Sequence, residues 1–236
     1  MSTKYFVLSR PANKAVHEND QNQIVFLNNT PTYLLPQINL EYYVGNGLFE
    51  APLIEWTKQF CSPDKLMLDV GAHTGTYGLS LAHLCKEVHF FEPQKMTYYA
   101  LCGGVALSNV QNATCHNVGL GSVDQVGPLT LKIVSNDGGG SSIHAPADKV
   151  LREETIEVRT LDSFGLENVG FIKMDVEENE LFVLQGGRET LIKSGWPPIL
   201  FESNYENPAL FSYIREMGYT IIQLSGCSNM YLASHQ

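Results

Sequence analysis

The stretch LMLDVGAHTGTYGLSLAHLCKEVHFFEP, Leu66 to Pro93, decides the fold. Leu66 to Val70 is an apolar run of strand length that carries Asp69 and ends on Gly71. A turn flanked by Gly71 and Gly75 then opens an amphipathic run, Thr76 to Cys85, and a second apolar run, Val88 to Phe91, finishes on Glu92. Strand, tight turn, helix and strand form the first half of a nucleotide-binding sheet.

The residue types fit a bound nucleoside. Glycine at 71 and 75 lets the backbone turn sharply and lets a ligand lie against it. The helix starting near Thr76 points unpaired N–H groups and a partial positive charge into the same gap. Glu92 lies 21 residues past Gly71, where a strand-end carboxylate accepts hydrogen bonds from ribose hydroxyls. A dinucleotide loop reads GxGxxG, but here the spacing is GxxxG with His73 inside it and Asp69 before it. An acid there repels a pyrophosphate and suits the amino group and sulfonium of S-adenosylmethionine. The expected cofactor contacts are Asp69, Gly71, Ala72, His73, Thr74, Gly75 and Tyr77 around the loop, and Glu92 and Gln94 after the second strand. Asn117 and Val118 near the adenine, and Asp175, complete the set.

Composition excludes several classes. The 236 residues are 44% hydrophobic, with no apolar run near the ~18 residues of a membrane span. The formal charge is −10 without a basic cluster, which argues against nucleic acid as a substrate. Cys61, Cys85, Cys102, Cys115 and Cys227 show no CxxC pair, and the N-terminus has no signal-peptide pattern, so reduced thiols in a cytoplasmic protein are expected.

Along the chain, residues 1–47 carry short apolar runs, Tyr5 to Leu8, Ile24 to Leu27 and Tyr33 to Leu35, and read as a small β cap over the site. Asn46 and Gly47 then precede a predicted helix, Leu48 to Phe60. Met96 to Ser108 reads as a helix, and Ala113 to Leu120 as a third strand beside the first two. Leu129 to Val134 and Thr155 to Thr160 read as a hairpin-like excursion carrying DGGGSSIHAPAD, a mobile surface loop whose Ser141, Ser142 and His144 are candidate substrate contacts. Alternation resumes with a strand from Phe171 to Met174 ending at Asp175, a helix from Glu180, a strand from Ile199 to Phe201 ending at Glu202, and a helix from Pro208 to Met217. Tyr219 to Leu224 and Met230 to Ala233 are joined by a turn too short for anything but antiparallel pairing.

DVGAHTG at 69–75, FEP at 91–93, TLDS at 160–163, IKMDVEENE at 172–180 and ILFES at 199–203 resemble, in order, the motifs of the FkbM-type S-adenosylmethionine-dependent methyltransferases. The resemblance spans roughly Leu66 to Ser203. It implies an α/β, Rossmann-like class I methyltransferase fold: a mostly parallel seven-stranded sheet with an antiparallel C-terminal hairpin strand and helices on both faces. Residues 1–47 are then an N-terminal extension and 48–236 the methyltransferase domain. It also implies methyl transfer to oxygen on a sugar or natural product. Two positions depart from the pattern: His73 stands where the family has Asn, and Glu178 where it has Gly after DVE. The loss of Gly puts the backbone of that turn in doubt, with Asn179 expected as the helix N-cap and Glu180 in its first turn.

Asp175, Glu177 and Glu202 fall at or just past adjacent strand ends, on the ligand side of the sheet, and are the candidate bases or acceptor anchors. With Asn204 they are also oxygen donors, but no spacing demands a metal, and none is expected. Two other readings stay open: an NAD-dependent oxidoreductase using Glu92 on the ribose, and a non-catalytic nucleoside-binding protein of the same fold.

Overall fold

The computed structural model describes residues 4–8, 31–203, 207–226 and 229–235. The strand expected at Ile24 to Leu27, Asn204 and Cys227 lie outside them. The chain begins with an antiparallel pair, β1 (Tyr5–Leu8) and β2 (Tyr33–Pro36), followed by helices α1 (Leu40–Asn46) and α2 (Ala51–Thr57). The single helix expected over Leu48 to Phe60 is therefore divided. Gly47, at φ +80°, ends α1 by donating its N–H to the Tyr43 carbonyl, and Pro52 sits in the first turn of α2.

The nucleotide-binding half follows as β3 (Leu66–Val70), α3 (Thr76–Leu81), β4 (Glu87–Phe91), α4 (Lys95–Leu107) and β5 (Ala113–His116). The predicted third strand is longer than the observed one. It breaks at Asn117 and Val118, and its remainder, β6 (Gly119–Leu120), joins a separate three-stranded sheet with β7 (Gly127–Ile133) and β8 (Arg152–Arg159). β9 (Val169–Met174), α5 (Glu180–Gln185), α6 (Arg188–Lys193), β10 (Ile199–Glu202), α7 (Pro208–Glu216), β11 (Tyr219–Gln223) and β12 (Met230–His235) complete the chain.

The main sheet has seven strands in the order β11-β12-β10-β9-β3-β4-β5. β10, β9, β3, β4 and β5 run parallel, and β12 pairs antiparallel with both β10 and β11. The order of strand addition reverses between β3 and β9, because the chain builds β3-β4-β5 outward and then returns to place β9 on the other side of β3. That switch point opens a crevice at the strand ends.

Period-two alternation sends side chains to two cores. Met67 of β3 and Phe90 of β4 pack with Leu79, Leu81 and Leu101 of the first helices, while Leu68 and Val70 pack with Val183, Leu191, Leu210 and Ile214 on the other face. The N-terminal strands belong to the first core: Leu8, Tyr33 and Leu35 are fully buried in it. Gly103 explains how α4 admits them, since a Cβ there would come within 2.4 Å of Leu34 Cδ1.

Candidate cofactor and acceptor site

A cavity of about 300 Å³ lies over the C-terminal ends of β3, β4 and β9, at the lower limit of typical ligand pockets. Its floor is the turn after β3. Gly71 and Ala72 donate their N–H groups to the Phe91 carbonyl, and Asp175 donates to the Val70 carbonyl. Gly71 has φ +73°, and a Cβ on it would meet the Asp175 carbonyl oxygen at 1.7 Å. Close approach of two strand ends, rather than room for a ligand alone, is what requires glycine here.

Glu92 is buried at the end of β4, and both its oxygens take backbone donors. Oε1 accepts the Gln94 N–H and Oε2 the His73 N–H, each at 2.8 Å. Burial pushes its pKa up to about 7 against these two hydrogen bonds. A carboxylate has about four lone-pair sites, so two remain for a ligand diol. Asn117 stays outside the cavity and donates to the Glu92 and Pro93 carbonyls, fixing the turn that presents Glu92.

Gly71, Ala72, His73, Tyr77, Gln94, Val118, Ser141, Asp175 and Glu177 also line the cavity, whereas Asp69, Thr74, Gly75, Glu202 and His144 do not. Asp69 is buried beneath the turn, where Oδ2 accepts the Gly78 N–H at 2.8 Å and so caps the start of α3. Thr74 is buried beside His73, and the Cβ of a residue at 75 would strike Leu101. The Glu202 carboxylate accepts from the Asn229 side chain, and burial, then Asp175 and Glu177, raise its pKa to about 8. His144 is exposed and its Nε2 donates to Asn179 Oδ1 at 3.1 Å.

The two departures from the family pattern have structural answers. His73, at φ +51°, donates Nε2–H to the Asp137 carbonyl at 2.7 Å, and burial lowers its pKa. Glu177 and Glu178 keep left-handed backbone, at φ +53° and +75°, without glycine. Ser142 Oγ donates to the Glu177 carbonyl at 2.6 Å and helps to hold that turn. Asn179 occupies the N-cap position of α5, but its side chain donates to the Leu120 carbonyl instead of capping. Glu180 Oε1 accepts the Val176 N–H.

The loop expected on the surface lies against the site. Gly138 packs on Gln94 and Thr97, Asn39 Nδ2 donates to Asp137 Oδ2 at 2.9 Å, and residues 137–143 form one wall. Asn39, Tyr43, Phe49 and Glu50 also line the cavity. Spacing along the chain carries no signal for these four, because tertiary packing alone brings them over the turn.

Lys173 lines the cavity's inner end, 6% exposed, with Nζ 3.3 Å from Asp175 Oδ2. Burial works against its charge, but Asp175, Asp69 and Glu50 outweigh it and hold its pKa above the ordinary value. Among the described residues the lining carries five acids, Glu50, Glu92, Asp137, Asp175 and Glu177, and one lysine. That donor set fits S-adenosylmethionine: free acceptor sites on Glu92 for the ribose, Phe91, Val118 and Leu120 for the base, and acids for the sulfonium end. A pyrophosphate would face the same acids with one cation to meet it.

The fold is that of the class I methyltransferases. Residues 69–221 match the methyltransferase FkbM domain, and the chain belongs to that S-adenosylmethionine-dependent family. Solved structures of similar fold include a methyltransferase FkbM from Methylobacillus flagellatus KT, with 21% identity and a TM-score of 0.51 over 73% of this chain and 44% of that one. The chain thus spans less than half of that protein. An rRNA methylase from Streptococcus thermophilus aligns at 12% identity and TM-score 0.50, over 78% of this chain and 95% of that one. Precorrin-6y C5,15-methyltransferase from Geobacter metallireducens GS-15 aligns at 9% identity and TM-score 0.51, over 80% and 90%. These identities bear on the fold alone. The comparison with curated proteins finds no match. Among the described residues no helix is long and apolar enough to cross a membrane.

Proposed function

We propose that the chain methylates a hydroxyl oxygen on a sugar or small natural product. The observation that carries the proposal is the Lys173–Asp175 pair at the inner end of the cavity, beside the Gly71 turn. When bound, S-adenosylmethionine would supply a sulfonium-bound methyl group for in-line transfer to an acceptor oxygen, with S-adenosylhomocysteine as the leaving group. Asp175 accepts the hydroxyl proton of the acceptor, and the neighbouring ammonium favours the negative charge that grows on that oxygen. An amine acceptor would meet the same ammonium with less gain. Glu177 lines the acceptor side, and Glu202, outside the lining, is the further candidate base at the end of β10. Glu92 holds the ribose. Residues 1–47 serve as the cap, with Ser141 on the acceptor wall, and 48–236 as the catalytic domain.

Calorimetric titration with S-adenosylhomocysteine and with NAD, then mass spectrometry of products from sugar, hydroxylated and amine acceptors, tests this reading. Binding of S-adenosylhomocysteine alone and a mass gain on a hydroxylated acceptor are expected. Binding of NAD in its place would return the site to oxidoreductase chemistry, and methylation confined to amines would overturn the oxygen assignment. Cofactor binding with no product from the whole panel would favour a non-catalytic nucleoside-binding protein.

A further inference from the structure

Four of the residues that line the cavity are exposed: Phe49, Glu50, Gly139 and Gly140. The cavity therefore opens to solvent where the break between α1 and α2 meets the glycine run, two segments that the Asn39–Asp137 hydrogen bond ties together. An interior of about 300 Å³ holds little beyond one small ligand. Once the cofactor is seated, an acceptor can insert only its reacting hydroxyl, and its body stays at this opening.

Phe49 is the one apolar side chain among those four, and it is 39% exposed. A ring left in water forgoes the free energy of burial that a ligand packed on it would restore. Its neighbours hold it in place. The Tyr42 ring stacks on it at 4.0 Å and 18°, and the Tyr43 ring meets it in a T-shaped contact at 4.9 Å. Tyr43 is buried, lines the cavity itself and packs against Phe6 in the first core. A ring fixed by two others is pre-organised and loses little freedom when a ligand settles against it.

The chemistry further in describes the other end of the acceptor. Asp175 and Glu177 line the cavity as hydrogen-bond acceptors, and Lys173 is already engaged by Asp175. Carboxylates receive hydroxyl groups and repel anions. Glu50, next in the chain to Phe49, is near enough for its charge and that of Asp175 to act on each other, so the ring and the base share one neighbourhood. The two ends together fit an uncharged amphipathic molecule, with hydroxyls towards Asp175 and a flat apolar ring on Phe49.

We infer that Phe49 is a platform that selects the acceptor, and that the acceptor is a neutral glycoside whose flat apolar aglycone rests on that ring. The inference rests on the proposed methylation of oxygen and narrows it, since the same acids disfavour phosphorylated sugars.

The test uses the full chain with S-adenosylmethionine and a set of neutral hexoses, each supplied as methyl glycoside, phenyl glycoside and 1-phosphate. Wild type should show a KM about tenfold lower for phenyl than for methyl glycosides, with the 1-phosphates poorest. Phe49→Leu keeps an apolar side chain but not the flat face. It should raise the phenyl KM to the methyl value while kcat and the Kd of S-adenosylhomocysteine hold. A merely structural role would move cofactor affinity and melting temperature instead. If Phe49→Leu does not fold, Tyr42→Leu, which takes away the stacked support of the ring, is read in the same way. Equal KM for the two glycosides in wild type, a preference for the 1-phosphates, or discrimination that survives in the folded variant overturns the platform. If S-adenosylhomocysteine binds but no hexose is methylated, the methylation reading has failed on these sugars, and the platform is read by saturation-transfer NMR on the S-adenosylhomocysteine complex. Phenyl protons should then receive transfer from wild type and not from the variant; equal signals, or none, overturn the platform as well.

Discussion

Replacing Glu92 separates its two duties. Its oxygens satisfy two buried N–H groups, of His73 and Gln94, and the proposal adds two ribose hydroxyls. Glu92→Ala would orphan both backbone donors at about 1–3 kcal/mol each, a cost of about 2–6 kcal/mol comparable with the whole stability of a domain. Loss of binding in that variant would then report unfolding as readily as lost recognition. Glu92→Gln is the sharper change, because one carbonyl oxygen remains and one backbone donor is kept. The lost charge should weaken S-adenosylhomocysteine by about 2–3 kcal/mol, or about 30- to 150-fold. Calorimetry at 25 °C measures this, and circular dichroism confirms the fold. The wild-type pKa near 7 adds a second signature. Ionised Glu92 is the better acceptor, so wild-type affinity should rise as pH increases through 7, and Glu92→Gln should not follow it. Wild-type affinity in folded Glu92→Gln would refute the ribose assignment.

Other consequences are equally direct. Asp175→Asn keeps shape but not basicity, and should lower the methylation rate about 10²-fold with cofactor affinity nearly unchanged; an equal fall in both would move Asp175 into cofactor binding. Gly71→Ala drives a Cβ into the Asp175 carbonyl at φ +73° and should cost about 3 kcal/mol or more in a denaturant titration, with a wild-type midpoint contradicting the close approach. Glu92 and Glu180 are pushed up to about 7 and Glu202 to about 8, chiefly by burial. Burial lowers the pKa of His73, His89 and His116, which opposes this trend below about pH 6; between about pH 6 and 8 the acids dominate, the folded chain keeps protons that the unfolded chain has released, and stability should fall as pH rises. The melting temperature should be lower at pH 8 than at pH 6, and Glu202→Gln should flatten the upper part of that decline; a slope of opposite sign would contradict the buried-acid picture.

The sheet was legible where one residue type had one use. The apolar runs of β3 and β9 are buried on both faces, and their end residues mark the crevice wherever the helices lie. Proximity to Gly71 points Asp69 toward the ligand, whereas alternation along β3 points it under α3. It shares parity with Met67, whose face carries α3, and parity alone sets it beneath that helix. Glycine misled in a different way. Three in a row at 138–140 read as a free loop, whereas Gly138 is the spot at which the backbone presses on Gln94 and Thr97. The walls from Asn39 to Glu50 stayed hidden because covering a site is a long-range property, and Glu50 reveals itself only through a φ angle that its residue type does not announce.

The segment that walls the cavity also fills the core. Tyr33 is fully buried and its hydroxyl meets Ser80 Oγ at 2.6 Å, while Tyr43, Phe49 and Glu50 further along face the cavity. A ligand that needs those side chains in place binds only chains whose first strands are docked. Occupancy and docking are then one linked equilibrium: at a hundredfold excess over Kd the ligand adds about 2.7 kcal/mol against release of the N-terminus. Protease resistance of residues 31–50 should therefore report cofactor concentration, and a fragment cut back to the family-matched residues 69–221 would leave an apolar face of the sheet uncovered.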